Sequence, residues 1–192
     1  MELPEHISPD LFKNRNETIE LSAHALNKIV QNRAYLDHKL KEGKTFYGIN
    51  TGFGSLCNVR INDHELEQLQ ENLVCSHACG MGDEVPDEIV RLMLLLKIHG
   101  LSQGYSGVRK EIVERLVDFY NLDIIPIVYE LGSLGASGDL APLAHLSLPL
   151  FGKGWVRYKG EKLSRLFIQK HFGGYKPIMQ HIVLRHKWSI FS

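Results

Sequence analysis

The chain has 192 residues, 44% hydrophobic and 23% charged, a composition that fits an ordinary globular protein and excludes a disordered or collagen-like one. Its 22 basic and 22 acidic side chains cancel, so no net field favours nucleic acid or an anionic membrane, and a small, nearly neutral ligand fits better. The balance is uneven, because residues 1–163 carry 17 bases and 22 acids while 164–192 carry Arg165, Lys170, Lys176, Arg185 and Lys187 and no acid. Such a break marks either a separate partner for the tail or a segment of different history, and it divides the chain into 1–163 and a divergent basic tail, 164–192.

The N-terminus, MELPEHISPDLF, is acidic and broken by proline, unlike a signal peptide. No apolar run reaches the ~20 residues of a membrane span, and a cytoplasmic location is expected. After Ser22, Leu26, Ile29, Val30, Leu36 and Leu40 recur at helical spacing and Gly43 supplies a stop. Residues 44–58, KTFYGINTGFGSLCN, mix glycine and asparagine with aromatics, which predicts a long structured loop. A second helix is expected from Asn62, with Glu65 completing a capping box and Leu66, Leu69 and Leu73 forming an apolar stripe. His77 falls about 20° round from Leu66 on that stripe, so its imidazole should point inward.

Pro86, Asp87 and Glu88 open a third helix whose apolar residues run nearly all round it, predicting burial on most sides. A fourth, carrying Val108, Ile112, Val113, Leu116 and Val117, ends near Asn121, and Ile124 to Val128 is extended at most because Pro126 interrupts it. In residues 132–150, GSLGASGDLAPLAHLSLPL, Asp139 and Pro142 are helix-start signals, which places Ala136, Ser137 and Gly138 just ahead of a helix N-terminus. Any internal boundary would fall in the glycine-rich stretch from Gly152 to Gly160. With few strand signals, the fold class is mainly α.

Several chemistries find little support. Gly48, Gly52 and Gly54 match neither a dinucleotide fingerprint nor a P-loop. The ten histidines contain no HExxH pair, and His181 and His186, five apart, lie on different helical faces, so no metal site is expected. Cys57, Cys75 and Cys79 form no CxxC pair and are odd in number, consistent with reduced thiols. Ser137, in Gly135-Ala136-Ser137-Gly138-Asp139, lacks the flanking glycine pattern of a hydrolase nucleophile elbow.

Ala136-Ser137-Gly138 has a more specific reading, since a glycine nitrogen can attack the carbonyl two residues back only where side chains are tiny and the turn can strain. Closure of the Gly138 nitrogen on the Ala136 carbonyl, with loss of two waters, gives a five-membered ring bearing an exocyclic methylene. That ring is an electrophile, a function no ordinary side chain supplies, and a helix N-terminus behind it favours electron flow into it. By itself the tripeptide, which is common, reads first as a plain small-residue helix start.

YGINTGFGSL, ENLVCSHACG and GASGDLAPLAHLSLPL, in that order, resemble the aromatic amino acid ammonia-lyase family, and its histidine-deaminating members most, over about residues 5–163. The resemblance implies that Ala136, Ser137 and Gly138 form an autocatalytic methylidene-imidazolone group, with no external cofactor. It implies that Tyr47 is the base removing a β-proton and that His77 contacts the substrate side chain. The implied reaction is non-oxidative, an amino acid losing ammonia to leave a carbon–carbon double bond, with L-histidine giving urocanate. Tyrosine or phenylalanine ammonia-lyases and aminomutases are the alternatives within the enzyme class.

The implied fold is the N-terminal part of the ammonia-lyase fold, within the L-aspartase-like superfamily, without most of its central long-helix bundle. The implied partners are a small amino acid and further copies of the chain in a homotetramer. Family members are far longer, and MQHIVLRHKWSIFS stands where a Gly-Leu-Ala-Leu-Ile-Asn-Gly-Thr-Gln stretch is expected. The expectation is therefore an incomplete lyase portion over 1–163 that is inactive alone, its tail read out of frame or truncated. A non-catalytic remnant and an unrelated helical interaction domain are the readings outside that class.

Overall fold

The computed structural model describes residues 1–7, 17–47, 49–51, 61, 63–135 and 138–164, as backbone only at 63, 64, 66 and 67. The described part is mainly α, as the periodicity predicts. Helix α1, Ala23–Lys41, begins where the Ser22 hydroxyl accepts from the Ala25 N–H at 3.0 Å and ends before Gly43, whose φ of +76° carries the chain out of the last turn. Helix α2, Asp63–His77, occupies the predicted position, whereas the proposed cap at Asn62 lies outside the described residues. Among its described side chains the fully buried ones are Gln70 and Val74; Leu69, Leu73 and His77 are half-buried. The inward face of α2 is thus rotated from the leucine stripe, and His77 sits at its margin.

Helix α3, Asp87–Ser102, is the centre of the core: Val90, Leu94, Leu95 and Ile98 are 1% exposed or less. It packs against α1 and against α4, Lys110–Asn121, which contributes Val113, Leu116, Phe119 and Tyr120. Each fully buried leucine or phenylalanine is worth about 1.5–3 kcal/mol of transfer free energy, so this contact supplies much of the driving force for folding. The N-terminal strand is tied on by polar groups. Asn121 accepts from the Ile19 N–H at 2.8 Å and donates to the Ile19 carbonyl at 2.9 Å, imitating a strand neighbour.

Two small antiparallel sheets flank the helices. Strand β1, Met81–Glu84, pairs with β3, Tyr129–Leu131, with Met81 opposite Leu131 and an irregularity before the Glu84–Tyr129 pair. Strand β2, Ile125–Pro126, pairs with β4, Trp155–Tyr158, which pairs with β5, Glu161–Ser164. The glycine-rich stretch from Gly152 to Gly160 is therefore a hairpin approach whose Val156 is wholly buried in the core. Arg157 bridges Glu84 and Asp87, and Lys162 also pairs with Glu84, so β4 and β5 are clamped onto β1 and the start of α3.

Helix α5, Ala141–Ser147, is only seven residues long and continues into a 3-10 turn, Leu148–Phe151. Its first-turn proline is Pro142, as expected, but its N-cap is Leu140. Asp139 stands one residue further out and accepts from the Ala141 N–H at 3.1 Å.

Candidate active site

Tyr47 lies on the turn between α1 and α2 and is 52% exposed. The turn is built around Asn50, which is buried. Its Oδ1 accepts from the Phe46 N–H at 2.7 Å and its Nδ2 donates to the Lys44 carbonyl at 2.9 Å. The N–H groups of Ile49 and Asn50 both donate to the Phe46 carbonyl, and the Ile61 N–H donates to the Asn50 carbonyl at 3.0 Å. Asn50 thus ties down the backbone around Tyr47, whose side chain is half exposed. Nothing in the sequence pattern singled out Asn50, although an asparagine in a glycine-rich loop is the residue type that hydrogen-bonds nearby backbone. Asn50→Ala should cost about 1–3 kcal/mol of unfolding free energy, because it leaves the Phe46 donor and the Lys44 acceptor without their buried partner. Urea denaturation of both chains measures it.

His77 is the last residue of α2, half-buried, with Nδ1 2.7 Å from the Leu73 carbonyl. A carbonyl only accepts, so Nδ1 carries the proton in that bond and, in the neutral ring, Nε2 is the acceptor. The Ser76 hydroxyl donates to the same carbonyl at 2.8 Å, so both side chains of the Ser-His pair are oriented by one turn of their own helix. Three residues on, the Gly80 N–H donates to His145 Nε2 at 3.0 Å, connecting the segment after α2 to α5.

Ala136 and Ser137 lie outside the described residues; Gly138 is placed. Its φ is +92°, in the left-handed region that favours glycine, and its N–H donates to the Gly135 carbonyl at 3.1 Å. Asp139 holds this loop shut. Its Oδ1 accepts from the Ser133 N–H at 2.8 Å, the Ser133 hydroxyl at 3.3 Å and the Ala141 N–H. The Ser133 backbone bond, followed by those from the Ala141 N–H and the Ser133 hydroxyl, holds the carboxyl below its ordinary value of 3.8, against the opposing effect of desolvation. Asp139 was expected as a helix-start residue; its larger role is to close the loop from 133 to 139.

The structure links the segments that carry His77 and Gly138 through β1, β3 and α5. The residues following His77 pair through β1 with β3, β3 leads into the loop, and the helix leaving the loop receives the Gly80 bond. Tyr47 sits on a separate turn. A cavity of about 330 Å³ lined by Val30, Arg33, Asp37, Arg109, Lys110 and Glu111 contains none of these three residues. Arg33 is already committed there, to the Asp37 carboxylate and the Gly107 carbonyl.

Residues 10–173 match the family model for aromatic amino acid lyase, and the chain belongs to that family. The family is the aromatic lyase type that uses a methylidene-imidazolone group. The chain is 49% identical over 162 residues to the histidine ammonia-lyase of Legionella pneumophila (strain Corby), a match covering 84% of this chain and 30% of that protein. Among solved structures, the histidine ammonia-lyase of Trypanosoma cruzi is similar with a TM-score of 0.80 and 30% identity, covering 98% of this chain and 38% of that one. The ergothionase of Treponema denticola, described as ergothioneine degrading, is similar with a TM-score of 0.84 and 28% identity over 92% of this chain and 36% of its own. This chain spans about 30% of the length of the curated relatives it matches. Among the described residues no helix is long and apolar enough to cross a membrane.

Proposed function

We propose that this chain carries the electrophile segment, the base and the imidazole contact of a histidine ammonia-lyase, which converts L-histidine to urocanate and ammonia. The observation that carries this reading is the 49% identity, over most of the chain, to a protein of that name. The 26% and 28% identities to tyrosine and phenylalanine aminomutases support those alternatives less. The assigned roles are ring formation for Ala136, Ser137 and Gly138, β-proton removal for Tyr47 and contact with the substrate side chain for His77.

The described residues fit such a group. Glycine at 138 has the backbone conformation a side chain resists, and the loop around it is closed by Asp139. When formed, the ring supplies an electrophile that draws electrons from the substrate and turns a poor amine leaving group into a better one. The base role of Tyr47 is supported by its place on a turn whose backbone Asn50 hydrogen-bonds and by its half-exposed side chain. His77, oriented by the bond between its Nδ1 and the Leu73 carbonyl, is assigned the contact with the substrate side chain.

The part over 1–163 is read as the lyase portion, with 164–192 as a divergent tail distinguished by its lack of acids. Assembly into a homotetramer is part of the proposal, supported by Met81, Leu131 and Leu134, which stay at least 65% exposed beside the loop. A cytoplasmic location completes it.

Intact mass tests the ring: the purified chain should weigh about 36 Da less than its sequence, the mass of two waters lost on closure. Alone, it should release no urocanate from L-histidine, since a substrate held at one end is poorly oriented. Joined to the remaining length of the Legionella relative, it should release urocanate, seen by its ultraviolet band, and turn over L-tyrosine far more slowly. An unchanged mass refutes the electrophile, and faster turnover of L-tyrosine refutes the substrate.

A further inference from the structure

We propose that His145 is a positioning residue that sets the spacing between the substrate-contact segment ending at Gly80 and the ring-forming loop, an inference resting on the reading just given. Three segments meet at its imidazole. Gly80, three residues beyond His77, donates its N–H to Nε2 at 3.0 Å. Tyr129, on the strand that feeds the loop, meets the ring edge-on with centroids 5.1 Å apart. His145 itself belongs to α5, which leaves the loop and whose first N–H is held by Asp139. One side chain therefore touches the exit from α2, the entry to the loop and the exit from it.

The contact is tight and specific. A Cβ at Gly80 would lie 3.1 Å from both Cδ2 and Nε2 of His145 and 3.3 Å from the Tyr129 Cβ, so glycine is what lets the backbone come this close. Nε2 accepts, which places the proton of the neutral ring on Nδ1. Burial pushes the imidazole pKa down, in keeping with a ring that must stay neutral to accept. Only 8% of His145 is exposed, so it acts on substrate through Gly80 and α5.

The test uses the whole 192-residue chain, labelled with nitrogen-15, and two variants. His145→Gln can still accept from Gly80, whereas His145→Leu fills the space without an acceptor. In the unaltered chain the Gly80 and His145 nitrogens should show scalar coupling across the hydrogen bond, a measurement independent of whether either variant folds. In His145→Leu the Gly80 amide should exchange about tenfold faster, the factor one hydrogen bond is worth, and amides at 133–139 should loosen with it. His145→Gln should restore both segments, and the rate of the 36 Da mass loss should fall and recover in parallel. Absence of the coupling overturns the proposal, as does a leucine variant whose loop exchanges like the unaltered chain, since packing alone would then explain the residue. A mass deficit missing from the unaltered chain overturns the deamination reading instead, and leaves coupling and exchange to decide about His145.

Discussion

Gly132→Ala should slow formation of the ring by about 10²-fold, the scale of loss that follows a misplacement of about 1 Å in a reacting geometry. A Cβ at Gly132 would fall 1.8 Å from Asp139 Oδ2 and 2.3 Å from its Cγ, distances no pair of atoms sustains. The carboxylate must swing away, and in doing so it gives up the Ser133 N–H, the Ser133 hydroxyl and the Ala141 N–H together. Asp139→Ala removes the same three bonds, so the two substitutions should give the same rate of mass loss, and the double variant should be no slower than either alone. Additive effects would mean that Gly132 acts by another route. Asp139→Asn, which keeps an acceptor oxygen without the charge, should fall between. Leu134→Ser, in the same loop on a fully exposed residue, should leave the rate unchanged.

The sign of the pH effect follows from the same bonds. The Asp139 carboxyl is held below its ordinary value of 3.8 in the folded chain, so its stabilising effect is complete above that value and is lost as the pH falls through the folded one. Ring formation at neutral pH should therefore not depend on pH through Asp139, and should fail in acid before the helices melt. Mass spectra of chain refolded across that range, set beside far-ultraviolet circular dichroism, separate the two events.

Much of this architecture was readable from local pattern. The α1 boundaries were visible because Ser22 and Gly43 each do one job that few other residues do as well, capping donors at one end and adopting positive φ at the other. The interior of α3 was visible because a run with few polar residues has nowhere to go but inside. The hairpin of β4 and β5 was not. Its two-residue turn is Lys159-Gly160, with φ of +51° and +79°, where Asn-Gly would have announced the turn, and its strands are only four residues long, with three charged residues among the eight. The orientation of α2 was missed because Gln70 takes a buried place that an apolar count gives to leucine. Within the candidate site, Tyr47, His77 and the 136–138 segment were picked out by resemblance and by the chemistry of small residues. Asn50, Gly132 and His145 were not, since each matters through a partner that only the fold supplies, at a separation of 65 residues in the case of His145 and Gly80.

Lys97→Met should raise the unfolding free energy at pH 7 by about 1–3 kcal/mol, an uncommon direction for a substitution inside a helix core. Lys97 lies within α3 and is 8% exposed, and burial pushes its ammonium pKa from 10.5 down to about 8. Between those two values the unfolded chain holds a proton that the folded chain has released, so stability must rise with pH across the interval. The full rise is about 3 kcal/mol at 1.36 kcal/mol per unit, and below pH 8 the folded chain bears the whole cost of enclosing the charge. Methionine keeps the length and flexibility of the side chain without the charge, removing that cost and the slope together. Other lysines do not mimic this signal. Lys39, Lys153 and Lys162 are held above 10.5 by hydrogen bonds to Glu42, Glu71 and Glu84, so their stabilising effect persists below the unfolded value and declines only at higher pH. Urea titrations at pH 7, 8, 9 and 9.5 should therefore show a midpoint that climbs in the unaltered chain and stays level in the variant. A climb of equal steepness in both would place the titrating group elsewhere and remove Lys97 as the source of the strain in α3.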